Sequence, residues 1–137
     1  MFVPDTPGAY CCDNLKNFIA SLPPIDFKRK RPSDLNSSLE FKPFHKTKNG
    51  CIYQGEVDKQ TGLFEGLGAL TKPEGSFYQG WWKQGKKNGY GREVSANYTV
   101  YVGNFNQNCK CEYGELSHYD GRLYKGTFLN GLKHGRG

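Results

Sequence analysis

The chain of 137 residues carries a formal net charge of +6, with 8 Lys/Arg against 5 Asp/Glu in residues 1–50 and 11 against 8 in residues 51–137. This mild, even basicity lacks the dense cationic face on which nucleic-acid binding draws, so specific nucleic-acid recognition is set aside. Hydrophobic residues make up only 36% of the chain, yet aromatics reach 15% and glycines number 18, so burial must come from rings packed on bare backbone rather than from an aliphatic core.

The N-terminus, Met1-Phe2-Val3-Pro4-Asp5, has no basic stretch followed by an apolar run and reads as no targeting leader. No apolar run approaches the length of a membrane span. Cysteine is present at positions 11, 12, 51, 109 and 111, an odd number, and the thiols read as reduced in an intracellular, cytoplasmic setting. Residues 1–50 read as an N-terminal extension. Leu15, Phe18, Ile19 and Leu22 fall at i, i+3, i+4 and i+7, which predicts a short amphipathic helix over 13–22. Asp13 would cap it and Pro23-Pro24 would stop it. A helix of this length is marginal alone, so its stripe must rest on the aromatic groove of the same chain or on a partner.

Lys28-Arg29-Lys30-Arg31, followed by Pro32, is the one charge run. It is a solvated basic linker, a contact for an acidic protein or anionic lipid, or a nuclear address. Pro32 and Pro43 then predict an extended segment, with Ile25, Phe27, Leu35, Leu39, Phe41 and Phe44 spaced as anchors along a surface, or else a loosely ordered tail.

From residue 51 onward the chain repeats itself. Tyr53-Gln-Gly55, Tyr78-Gln-Gly80, Tyr101-Val-Gly103 and Tyr124-Lys-Gly126 share Tyr-x-Gly, with the tyrosines 25, 23 and 23 residues apart. Two positions after each Gly stands Val57, Trp82, Phe105 or Phe128, and Gly-x-Gly pairs close three units at Gly66/Gly68, Gly89/Gly91 and Gly135/Gly137. Residues two apart in a strand share a face, so Tyr78, Gly80 and Trp82 lie together and the glycines of the returning strand leave room for rings. One hairpin is barely stable, but stacked hairpins gain an interface with each unit. Burying each ring contributes roughly 1.5–3 kcal/mol.

These residues resemble the MORN repeat, about four units over 52–137 with the last one incomplete. The unit Tyr78-Gln-Gly80-Trp81-Trp82-Lys83-Gln84-Gly85-Lys86-Lys87-Asn88-Gly89-Tyr90-Gly91 fits at every defined position, and Tyr124 to Gly137 fits as well. The resemblance implies a mainly β fold: an elongated single-layer antiparallel sheet of stacked hairpins over 51–137, with a shallow aromatic groove. It implies a non-catalytic scaffold, with no catalytic residues and no cofactor, of the kind frequent in cilia, flagella and other cytoskeletal assemblies. Some relatives look like membrane-attachment modules. The expectation is therefore a structural protein of a ciliary or flagellar axoneme that binds other proteins, with a membrane-associated adaptor, held on anionic phospholipid by Lys28–Arg31 and lysines such as Lys83, Lys86 and Lys87, as the alternative.

Departures from the repeat mark weak points. Asn108-Cys109-Lys110-Cys111-Glu112 lacks two expected glycines, which predicts an irregular turn. Glu93 stands where Leu70 and Leu116 stand in neighbouring units, so either that rung is solvated or a slip turns Val94 inward. The half-finished last hairpin predicts an open edge at 124–137, inviting a partner or edge-to-edge self-association. Trp82 fills the inward slot, so Trp81 points to the other face, either exposed as a binding hot spot or covering a rung or the N-terminal segment. The candidate partner-binding residues are accordingly Leu15, Phe18, Ile19, Leu22, Lys28, Arg29, Lys30, Arg31, Tyr53, Tyr78, Trp81, Trp82, Tyr101, Phe105, Tyr124 and Phe128.

Chemistry-bearing groups do not assemble in the sequence. Cys109-x-Cys111 has no second pair at zinc spacing, His45, His118 and His134 are scattered, and the glycines do not follow a phosphate-loop pattern. No metal site is read.

Overall fold

A computed structural model describes residues 7–32 and 38–135, with side chains from Asn14 onward. The expectations placed on Leu35, on the Asp13 side chain, on Cys11 and Cys12 and on Gly137 lie outside the described residues. Nine strands form one open antiparallel sheet in which every strand pairs with its neighbour in sequence, in the order β1 to β9. They are β1 (Leu39–Lys46), β2 (Ile52–Asp58), β3 (Phe64–Thr71), β4 (Phe77–Lys83), β5 (Lys86–Val94), β6 (Val100–Asn106), β7 (Cys109–Ser117), β8 (Leu123–Leu129) and β9 (Leu132–His134). The mainly β, single-layer architecture is the one the repeats imply. Among the described residues no helix is long and apolar enough to cross a membrane.

The repeat unit has a direct physical origin. Gly80 pairs with Gly91 across β4 and β5, and the ring of Tyr78 lies over them. A Cβ built on Gly91 would stand 2.4 Å from the Tyr78 hydroxyl, and one on Gly80 would stand 2.5 Å from the Gly91 Cα. The same collision occurs at Gly68 with Tyr53 and at Gly114 with Tyr101. Glycine is thus required by the close approach of ring to backbone. Each tyrosine hydroxyl then donates to the carbonyl three residues on: Tyr53 to Glu56 at 2.6 Å, Tyr78 to Trp81 at 2.9 Å, Tyr101 to Asn104 at 3.0 Å and Tyr124 to Thr127 at 2.9 Å. The first three of those carbonyls lie at the irregular step that follows Tyr-x-Gly in each hairpin, where β2/β3, β4/β5 and β6/β7 shift register.

The hairpin turns repeat as well. Gln84-Gly85, Gln107-Asn108 and Asn130-Gly131 all have both central residues at positive φ, the mirror-image turn that matches strand twist. The turn at Asn108 is therefore regular, contrary to the irregularity its missing glycine predicts, because Asn tolerates the left-handed region. The cost of the missing glycines falls instead on Glu112, held at φ 55° where Gly66 and Gly89 stand in other units. Val94 faces away from the groove and no slip occurs: Glu93 keeps the position of Leu70 and Leu116, opposite Tyr78 and Tyr101.

The N-terminal region differs from the sequence reading in three ways. The helix α1 runs from Pro7 to Ser21, so Asp13 lies inside it rather than capping its start. Residues 39–46 form an edge strand of the sheet, within what reads in sequence as the N-terminal extension. Finally, α1 docks on its own sheet, but on the face opposite the aromatic groove. Leu15, Val94 and Val100 form a buried cluster there, with Phe18, Ile19, Leu22, Phe77, Tyr98 and Val102 packed around it. Tyr98 holds φ 68° in a loop position where Gly75 and Gly121 stand elsewhere, and its ring meets Phe18 edge-on at 5.1 Å.

Two predictions follow the glycines. Gly91→Ala, which drives a methyl into Tyr78, destabilises by about 3 kcal/mol, whereas Gly62→Ala, with open space around it, costs only the strain of its turn, about 1 kcal/mol; urea denaturation compares them. Glu112→Gly relieves a left-handed non-glycine residue and raises stability by about 1 kcal/mol in the same assay.

Candidate functional site

Two surfaces contain the residues singled out in sequence. The first is the groove face. Tyr53, Val57, Tyr78, Trp82, Tyr101, Phe105 and Phe128 form one buried cluster, with Phe64, Leu70, Leu116 and Tyr124 at its margins. Successive rings meet edge to face: Tyr78 and Trp82 at 5.0 Å, Tyr78 and Phe105 at 5.1 Å, Tyr101 and Phe128 at 5.0 Å, and Tyr124 and Phe128 at 5.3 Å. Edge-to-face contacts are favourable beyond their area. The lattice thus brings together Tyr53, Tyr78, Trp82, Tyr101, Phe105, Tyr124 and Phe128, but as a floor whose rings bury one another. Burial pushes the Tyr53, Tyr78 and Tyr101 hydroxyls well above their ordinary pKa.

Above the rings on this face lies a cationic row, largely covered at Lys87 and open at Lys133. Lys87 lies 5.3 Å from the Tyr78 ring centre, Lys110 lies 5.4 Å from Tyr101 and Lys133 lies 5.0 Å from Tyr124. Sequence reasoning missed this row, although its signal is visible: the three lysines recur at the 23-residue interval of the later tyrosines. Glu93 sits between the first two, 2.5 Å from Lys87 and 3.5 Å from Lys110. Burial pushes its carboxyl up, but the two ammonium groups outweigh this and hold it below the usual carboxylate range. The departure from Leu at this rung is therefore compensated by an ion triad.

The second surface is the back of the sheet, crossed by the segment that follows α1, residues 22–32, which forms an N-terminal strap. Leu15 is buried there and Phe18, Ile19 and Leu22 are half-buried, so the helical stripe is satisfied in cis. Trp81 is 1% exposed and is not an open hot spot. Its indole N–H donates to the Phe27 carbonyl at 3.0 Å, because the strap crosses β4 and β5 at this point and needs a donor for a carbonyl that would otherwise be buried unpaired. Phe27 is buried beside Tyr90. Lys28 to Lys30 fall in a short 3-10 helix, Phe27–Lys30, and with Arg31 they are exposed. Lys30 lies 5.2 Å from the Tyr90 ring centre and Arg31 lies 5.6 Å from that of Trp81, so two of the four basic residues are oriented by rings. The cysteines Cys51, Cys109 and Cys111 carry free thiols, and burial pushes that of Cys111 up.

Tyr53, Tyr78 and Tyr101 each lie over a facing glycine pair, lysines stand over Tyr78, Tyr101 and Tyr124, and the sequence that builds this repeat matches known proteins. The MORN repeat family model matches residues 78–100 and 124–137. The chain carries MORN repeats. The rungs of Tyr53 and Tyr101, outside those two matches, share the same hydroxyl-to-carbonyl bond as the matched ones. Over 82 residues, 56% of this chain, the sequence is 30% identical to Alsin of mouse, chimpanzee and human. The chain spans 5% of the length of these curated relatives.

Glu93→Gln tests the triad. It leaves two lysines without their counter-charge in a half-buried setting and costs about 2 kcal/mol at pH 7. The folded pKa of Glu93 is depressed, so the stability it contributes is present above its ordinary value of 4.5 and is lost as pH falls through the folded value. Urea denaturation from pH 7 downward should show native and variant converging only in that acidic window.

Proposed function

We propose that this MORN-repeat chain is a non-catalytic structural subunit that holds partner proteins within a cytoskeletal assembly, a ciliary or flagellar axoneme being the setting the repeat type favours. The observation that carries the reading is an open sheet whose exposed apolar side chains gather at its two ends: Phe41 and Phe44 on β1, and Leu123, Leu129 and Leu132 on β8 and β9. A long sheet held together by its own ring lattice is a rigid spacer, and its outer strands present backbone donors and acceptors to a neighbour. The setting rests on analogy with the repeat family. Partners bind along the upper layer of the groove and at the strand edges, where a second copy is one candidate.

Cross-linking mass spectrometry of the tagged protein in ciliated cells tests this. Links from Lys42 and Lys46 on β1, or Lys125 and Lys133 on β8 and β9, to cytoskeletal proteins are the expected result. Diffuse label with no intermolecular links from these lysines would reject it.

The adaptor reading has one observation in its favour: the exposed basic run Lys28–Arg31 standing on its two aromatic rings. If it holds, salt-sensitive co-sedimentation with phosphatidylserine vesicles is lost on neutralising all four residues. Binding that survives the change removes this reading.

A further inference from the structure

Arg92 is buried with only part of its guanidinium paired. It lies on the back face of β5, in the row Arg92–Val102–Glu115–Lys125 across β5 to β8. Its residue surface is 7% exposed. One guanidinium nitrogen, Nη1, donates to the Pro23 carbonyl at 2.5 Å, and Nε, buried, has no acceptor. Among the described residues no carboxylate pairs with it. Glu115 is the acid in its row, but it stands two strands away, about 10 Å at the backbone, and is exposed. A buried cation without a counter-charge is costly, and this one lines a cleft.

That cleft, ≈ 570 Å³, opens between the strap and the back of β6 and β7. Phe18, Leu22, Tyr98, Val100, Val102 and Tyr119 give it apolar walls, and Arg92 and Glu115 both lie in its lining without forming an ion pair. Its apolar surface does not stop at the cleft. The same face of the sheet continues over β7 to β9 with Tyr113, Leu123, Leu129 and Leu132, each more than half exposed. On β5 and β6 this face is covered by α1; on β7 to β9 nothing in the chain's described residues covers it. The uncovered region is therefore a continuation of an existing helix-on-sheet interface, wider than a small ligand spans.

We propose that a partner's amphipathic helix lies beside α1 on this face, its apolar stripe on Tyr119, Leu123 and Leu132 and one acidic side chain reaching Arg92 in the cleft. The carboxylate meets the part of the guanidinium that lines the cleft and supplies the counter-charge Arg92 lacks, and this charge-assisted contact fixes the register of the helix. The occupant is thus defined by chemistry: apolar residues at i, i+3, i+4 and i+7 with an Asp or Glu within the stripe. This site shares Leu123 and Leu132 with the reading above and deepens it by naming the form of the partner, while the Glu preference read at Arg92 fails or holds separately from any binding at the strand edges.

The test uses the full chain and four synthetic 18-residue leucine-striped helical peptides, each with one Glu at a different stripe position, and their Gln counterparts. At least one Glu peptide should perturb the backbone amide resonances of Val100, Val102, Ser117 and Leu123 and bind at least about tenfold tighter than its Gln twin. Arg92→Met should abolish that preference, and Leu123→Ser, an exposed change that leaves the fold intact by circular dichroism, should weaken the same peptide. Equal binding of Glu and Gln peptides, perturbation confined to the groove face, or no binding would overturn the proposal. So would decanoate perturbing these residues when no peptide does, which would make the cleft a small-acid pocket, or concentration-dependent dimers abolished by Leu123→Ser, which would make the face a self-contact.

Discussion

A tyrosine ring laid on two facing glycines is the contact on which this molecule depends. It fixes the distance between the two strands of a hairpin, places the hydroxyl on the carbonyl at the following register step, and sets each ring at the angle that receives the next one edge-on. None of this needs an aliphatic core. It explains how a chain with so little Leu, Ile and Val builds a sheet of nine strands: burial is distributed along the sheet, ring against ring, rather than concentrated at a centre. It also explains why Val57 suffices in the first unit, where Phe64 stacks on Tyr53 at 3.8 Å and supplies the ring that the slot itself lacks.

The two faces solve different problems. The groove face closes itself and leaves charges on top, with the lysine row screened from the rings' apolar floor only by its own alkyl stems. The back face is apolar in patches and relies on added chain: α1 for β5 and β6, and the strap for Trp81 and Arg92. Interaction capacity is therefore unequal. The groove offers a cationic row with one built-in acid, and the back offers apolar surface with one buried cation.

The repeat array was legible because its constraint is backbone contact, which admits only glycine and so leaves a periodic mark in the sequence. Glu93 was legible as an anomaly, though its resolution depended on lysines from two different strands. What remained hidden lay on positions the repeat does not constrain. Strand β1 has no Tyr-x-Gly, and Phe41 and Phe44 are exposed, so its pairing is a matter of backbone hydrogen bonds that leave no side-chain pattern. Trp81 was correctly assigned to the back face, but whether that face was open depended on a strap more than fifty residues earlier in the chain. Arg92 drew no notice because a single Arg in a hairpin reads as solvated; the available clue was its place one residue after Gly91 and two before Val94, in phase with the buried side.

The strap also bears on how the chain folds. Sheet pairing here joins only neighbours in sequence, a topology of low contact order that lets hairpins zip from several starting points without closing large loops. The bonds from Trp81 to Phe27 and from Arg92 to Pro23 are of another kind, bridging 54 and 69 positions. Loop closure of that length carries its entropic cost before the contact is made, so the strap settles onto a ribbon already formed. The molecule is accordingly two kinetic layers, a fast local one and a slower clasp, and the clasp can open while the ribbon beneath it keeps its register.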